Sequence, residues 1–145
     1  MKSAFQLLLF LPFCLGVEAQ TALDWSDLEK GIFWKKSTSK LNYPGFLEAD
    51  FSTKLSDLEG KEVSLIGFMI ILDGSQSVYM LSKNPMASCF FCGNGGPETI
   101  SEIAFSEKPD FRMDDLITVT GILRLNRNDP LKCYYLIEQA EGFGL

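Results

Sequence analysis

Glu62-Val63-Ser64-Leu65-Ile66-Gly67-Phe68-Met69-Ile70-Ile71-Leu72 is the stretch on which the fold turns. It alternates polar and apolar residues at first and then runs apolar, so it reads as one long strand. Gly67 sits mid-strand, where a strong bend needs a residue without a side chain. Leu116-Ile117-Thr118-Val119-Thr120-Gly121-Ile122-Leu123-Arg124-Leu125-Asn126 repeats the arrangement around a second glycine. Between and beyond these lie three shorter candidates. Asp73-Gly74-Ser75-Gln76 is a hairpin turn, and Ser77 to Ser82 is the returning strand, closed by Asn84-Pro85. Thr99 to Phe105 alternates as a strand with one wet face. After a charged connection from Ser106 to Asp115 and the turn Arg127-Asn128-Asp129-Pro130, Cys133 to Ala140 reads as the last strand. Five strands in this order, two of them long and bent at a glycine, predict a mainly β chain folded as a small five-stranded OB-like barrel. An open β-sandwich is the other architecture these strands allow.

Towards the amino end, apolar residues at 25, 28 and 32 share a helical face, and Gly31 weakens its end. A short N-terminal helix covering one end of the core follows, with Trp25 and Trp34 as packing residues. Lys35 to Lys40 reads as a loop. Tyr43 to Phe51 reads as a turn and an extended segment suited to a sheet edge. Leu55 and Leu58 give one helical turn that stops at Gly60. No repeat, linker or low-complexity tract interrupts residues 20–145, which are expected to form a single OB-like domain.

Residues 1–19 have the pattern of a secretory signal peptide. Lys2 gives the positive start, Ala4 to Val17 the apolar region, and Val17-Glu18-Ala19 small residues at the two positions read before cleavage. The apolar run is too short for a retained spanning helix. The expectation is an exported, periplasmic or secreted protein beginning at Gln20, with no stable membrane insertion once the signal is removed.

Composition excludes several functions. The formal net charge is −6 and no basic cluster stands out, which disfavours nucleic acid as a partner. The chain has no histidine, which removes Ser-His-Asp chemistry and the commonest metal ligand together. No carboxylate pair is set apart for acid-base work. Asp114-Asp115 reads as a solvated loop before a strand, so no catalytic residue is assigned.

Chemistry concentrates in Cys89-Phe90-Phe91-Cys92-Gly93-Asn94-Gly95-Gly96-Pro97-Glu98. Two thiols three apart followed by turn formers make a loop that neither a helix nor a strand continues. After signal removal three cysteines remain, Cys89, Cys92 and Cys133, an odd number in an oxidising compartment. Three readings stay open. A Cys89–Cys92 disulfide rigidifies a binding loop, with Cys133 as a small apolar residue. Alternatively Cys89, Cys92 and Cys133 hold zinc or copper, with Glu98 or Asp110 as a fourth ligand. Thiol–disulfide exchange is the third, though no helix follows the motif to activate its first thiol.

The phrases Leu58-Glu59-Gly60-Lys61-Glu62-Val63, Gly67-Phe68-Met69-Ile70, Cys89-Phe90-Phe91-Cys92-Gly93 with Gly96-Pro97-Glu98, and Val119-Thr120-Gly121-Ile122-Leu123 with Asn126 resemble a family of exported bacterial proteins. That family is catalogued only as a domain of unknown function. The resemblance covers about Trp25 to Ala140 and implies an OB-like domain in the Gram-negative periplasm, linked in some relatives to membrane transport systems, including those for divalent metals. The reading as a whole is a non-enzymatic binding or accessory protein. Its interaction surface is the loop Cys89, Phe90, Phe91, Cys92, Gly93, Gly95, Gly96, Pro97 and Glu98, and its partner a protein or a metal ion.

Overall fold

The computed structural model describes residues 20–37, 43–73, 78–86 and 95–145. The expected signal segment, the hairpin turn at 74–76 and loop residues Cys89, Phe90, Phe91, Cys92 and Gly93 lie outside the described residues. In chain order the elements are β1 (Thr21–Ala22), α1 (Trp25–Gly31), β2 (Ile32–Lys36), β3 (Leu47–Phe51), α2 (Thr53–Leu58), β4 (Glu62–Asp73), β5 (Val78–Ser82), β6 (Ile100–Phe105), β7 (Leu116–Leu125) and β8 (Tyr135–Gly144), with a 3-10 turn at Pro97–Thr99.

β4 changes partner at its glycine. Glu62 to Phe68 pair with β7, and Phe68 to Asp73 pair with β5, so one strand serves both halves of a curled sheet. The sheet runs β4-β5-β6-β8-β7 and closes back onto β4. β6 and β8 are parallel and the other barrel neighbours antiparallel. This is the OB-like barrel expected from the glycine-centred strands.

The glycines are required by close approach as well as by bending. A Cβ on Gly67 would lie 2.7 Å from the Ser82 carbonyl oxygen and 2.8 Å from Leu81 Cγ. A Cβ on Gly121 would lie 2.6 Å from the Glu138 carbonyl oxygen. Opposite Gly121, β8 carries an extra residue, because Thr120 pairs with Glu141 and Ile122 with Glu138. Gln139 adopts φ 51° inside this bulge, which sharpens the twist that barrel closure needs.

Inward side chains of the strands form one core with α1 laid across it. Asp24 caps α1 by accepting from the Ser26 amide at 2.7 Å, and Asp27 completes a capping box. Trp25 is buried as expected, and its indole donates to the Ile66 carbonyl at 2.7 Å.

Three sequence expectations are corrected. First, the helix ends at Gly31, where an added Cβ would meet Leu55, and the β-branched and aromatic run Ile32-Phe33-Trp34 continues as β2 through Lys36. Lys35 and Lys36 are therefore strand residues. Second, β3 joins β2 in a separate two-stranded sheet, with a Lys35–Asp50 ion pair across it. Trp34 is consequently 39% exposed, with its ring edge-on to Tyr134 at 4.8 Å. Third, the last strand starts at Tyr135. The Asn126 side chain accepts from the Asn128 and Asp129 amides and donates to the Asp129 and Lys132 carbonyls, winding the preceding residues, Cys133 included, into a compact loop.

Candidate functional site

Strand alternation decides what faces out. Tyr79, Leu81, Ser101 and Ile103 are buried, so Val78, Met80 and Glu102 present the opposite face of β5 and β6, with Met80 directly across from Glu102. The β7–β8 loop stands over this face. Leu131, Lys132, Cys133 and Tyr134 wall a hollow of about 440 Å³, and Pro97 closes one end. Its floor is apolar apart from Glu102. The Lys132 ammonium reaches Glu102 at 2.8 Å, and that hydrogen bond holds the Lys132 pKa above its ordinary value.

Cys133 is half-buried in this wall. Desolvation first, and then the Glu102 carboxylate, push its thiol up to about 11, with Lys132 opposing them. At neutral pH the group is a protonated thiol, and a nucleophile or a metal ligand needs the thiolate.

A second hollow, about 320 Å³, adjoins the first and shares Pro97 and Tyr134 with it. Trp34, Gly45, Leu47 and Glu98 complete its lining. Tyr134 is fixed here by its hydroxyl, which donates to the Leu47 carbonyl at 2.6 Å, and by Phe46 stacked on its ring at 6.0 Å.

The described residues on either side of the cysteine loop are each held by hydrogen bonds. At one end the Met86 amide donates to Asp114 Oδ1 at 2.6 Å. Asp114 lies in an exposed turn before β7, as expected, at φ 66°, and donates its amide to the Met69 carbonyl. At the other end Thr99 donates both its hydroxyl, at 2.7 Å, and its amide to the Gly96 carbonyl. The chain thus brings Pro97 and Glu98, the carboxyl-terminal shoulder of the loop, beside Cys133 and Tyr134. Asp110 lies elsewhere, in a hollow with Phe105 and Glu141. Among the described residues no group of three potential ligands is placed to hold a metal ion.

The fold is shared with a solved DUF3299 family protein from Pseudomonas aeruginosa. Its crystal structure at 2.45 Å resolution matches with a TM-score of 0.55, over 88% of this chain and 98% of that chain, at 14% sequence identity. At that identity the likeness shows the fold alone. No family model and no curated protein matches the sequence. The DUF3299 neighbour comes from an uncharacterised family, so function has to be argued from this chain's own surface.

OB barrels bind ligands on the face of their second and third strands, flanked by the loops after strands one and four. Counted from β4, those strands are β5 and β6, and the second of those loops is the one carrying Leu131 to Tyr134. The larger hollow therefore lies on the face that takes ligands in OB barrels generally. Sequence reasoning found Pro97, Glu98 and Cys133 but missed Trp34, Met80, Leu131 and Tyr134. Barrel closure brings Met80, Leu131 and Tyr134 together, the separate β2–β3 sheet adds Trp34 beside Tyr134, and no local periodicity encodes either.

Proposed function

We propose that the protein is an exported, non-enzymatic binding or accessory module whose working surface is the β5–β6 groove together with the cysteine loop that borders it. The observation that carries this reading is the groove itself. Its floor, apolar apart from Glu102, lies where OB barrels take ligands, and Pro97 at its end belongs to the loop singled out by Cys89 and Cys92. The lining suits an apolar segment of a protein partner, oriented by the Glu102–Lys132 pair. Nucleic acid is a poor fit, because the net charge is −6 and the one lysine in the lining is already paired. Export rests on the signal pattern of residues 1–19, and a link to a membrane transport system on the family resemblance.

A photo-reactive residue at Leu131, 73% exposed on the groove wall, tests the surface in intact cells against the same residue at Phe143, 54% exposed on the outside of β8. One discrete cross-linked partner from Leu131 and none from Phe143 is the expected result. Equal cross-linking from both positions, or from Phe143 alone, overturns the proposal. Fractionation with amino-terminal sequencing tests export, which predicts periplasmic protein starting at Gln20.

A thiolate zinc or copper site on Cys89, Cys92 and Cys133 is the second reading. It is favoured by Pro97, five residues after Cys92, sharing a hollow with Cys133. Stoichiometric metal in protein purified under reducing conditions, lost in Cys92→Ser, would establish it, and metal-free protein would remove it.

A further inference from the structure

The smaller hollow has a chemistry of its own. Trp34 and Tyr134 both line it, with ring planes at 76° and centroids 4.8 Å apart, so two aromatic walls meet at a corner. Leu47 and Pro97 add apolar surface, and Glu98, whose carboxylate folds back over Gly96, is the acidic residue of the lining. Among the described residues Glu98 has no cation and no hydrogen-bond donor as a partner, and the lining contains no lysine or arginine. A half-buried acidic residue thus shares a lining with two aromatic rings and no basic residue, in a chain of net charge −6.

We propose that this hollow binds a small quaternary ammonium ion. The electron-rich ring faces attract a cation that has little hydration to lose, and the carboxylate adds a charge that a neutral ligand of the same shape cannot use. Alkyl groups on the nitrogen fit the apolar part of the lining, which a compact, strongly hydrated ion such as ammonium or sodium would leave unfilled. The position is also prepared. The Tyr134 ring is held by the Leu47 carbonyl and by Phe46, and Trp34 is placed by the β2–β3 pairing, with Trp34 opposite Ala49. This inference rests on the reading of Pro97 and Glu98 as part of the working surface and gives that surface a ligand class.

Titration of the whole mature chain with choline, followed by the Trp34 indole signal in NMR and by calorimetry, tests it. Dimethylbutanol, in which carbon replaces the ammonium nitrogen, is the shape control. Saturable choline binding at least about tenfold tighter than the alcohol is expected. Trp34→Leu and Glu98→Gln should each weaken choline binding by about tenfold, and only Glu98→Gln should leave the alcohol unaffected. Glu98→Gln changes one charge at a partly exposed site, so its fold is retained even if Trp34→Leu disturbs the small sheet. Equal binding of choline and the alcohol, or no saturable choline binding, overturns the proposal. Cross-linking from Leu131 that persists in that event leaves the broader reading of the groove standing.

Discussion

The Tyr135 hydroxyl donates to the Leu28 carbonyl at 2.8 Å, a buried hydrogen bond between residues 107 apart in sequence. It ties the last barrel strand to the helix that covers the core. Burial first, and then Glu98, raise the Tyr135 pKa, so the hydroxyl stays protonated and able to donate. Tyr135→Phe leaves the Leu28 carbonyl without that donor and should destabilise the fold by about 1–3 kcal/mol. Urea unfolding should show a lower midpoint with an unchanged slope. An unchanged midpoint would mean the bond contributes nothing.

Barrel closure makes a sharper demand at Gly121. An added methyl there meets the backbone of β8 and Ile137 Cγ2 at 2.7 Å, and neither is the free end of a flexible side chain. Gly121→Ala should cost about 2–3 kcal/mol. At Gly144 nothing lies within 4 Å of the new Cβ, so Gly144→Ala should leave the thermal midpoint within about a degree.

Cys133 carries a pH signature. Its thiol is raised from 9.0 to about 11, so the folded chain holds that proton more tightly than the unfolded chain does. The resulting stability is complete below pH 9 and is lost as pH rises from 9 to 11. Under reducing conditions Cys133→Ala should lose less stability than the parent across that window. In the Cys89→Ser, Cys92→Ser background, iodoacetamide should alkylate Cys133 slowly at neutral pH, with a rate that climbs towards pH 11.

Glu59 acts at the acid end. Hydrogen bonding to Arg127, at 2.9 and 3.2 Å, is the main cause that lowers its pKa from 4.5, with the Leu125 amide also helping. A lowered carboxylate stabilises the fold above its ordinary pKa, and that contribution fades as pH falls below 4.5. Both partners are partly solvated, so Glu59→Gln should cost about 0.5–1 kcal/mol at pH 7. The difference from the parent should disappear by about pH 2 in acid titrations of stability.

The barrel was legible because its long strands write their burial into alternation, and because Gly67 and Gly121 stand where no side chain fits. β2 was not. The periodicity of Trp25, Leu28 and Ile32 runs past the helix end, and the contact that stops α1, Gly31 against Leu55, belongs to a different element. The site was legible only in part. Pro97, Glu98 and Cys133 were visible as chemistry in a loop or beside a turn. Trp34 and Tyr134 read as ordinary aromatics until the small β2–β3 sheet and the β7–β8 loop set them edge to face.

Use of the β5–β6 groove, with the outside of β8 left free, is the central proposal. Carbene footprinting of the protein in intact cells, compared with the purified mature chain, measures this directly. Trp34, Met80 and Leu131 should be protected in cells while Phe143 labels equally in both samples. Protection at Phe143, or identical labelling everywhere, would contradict it.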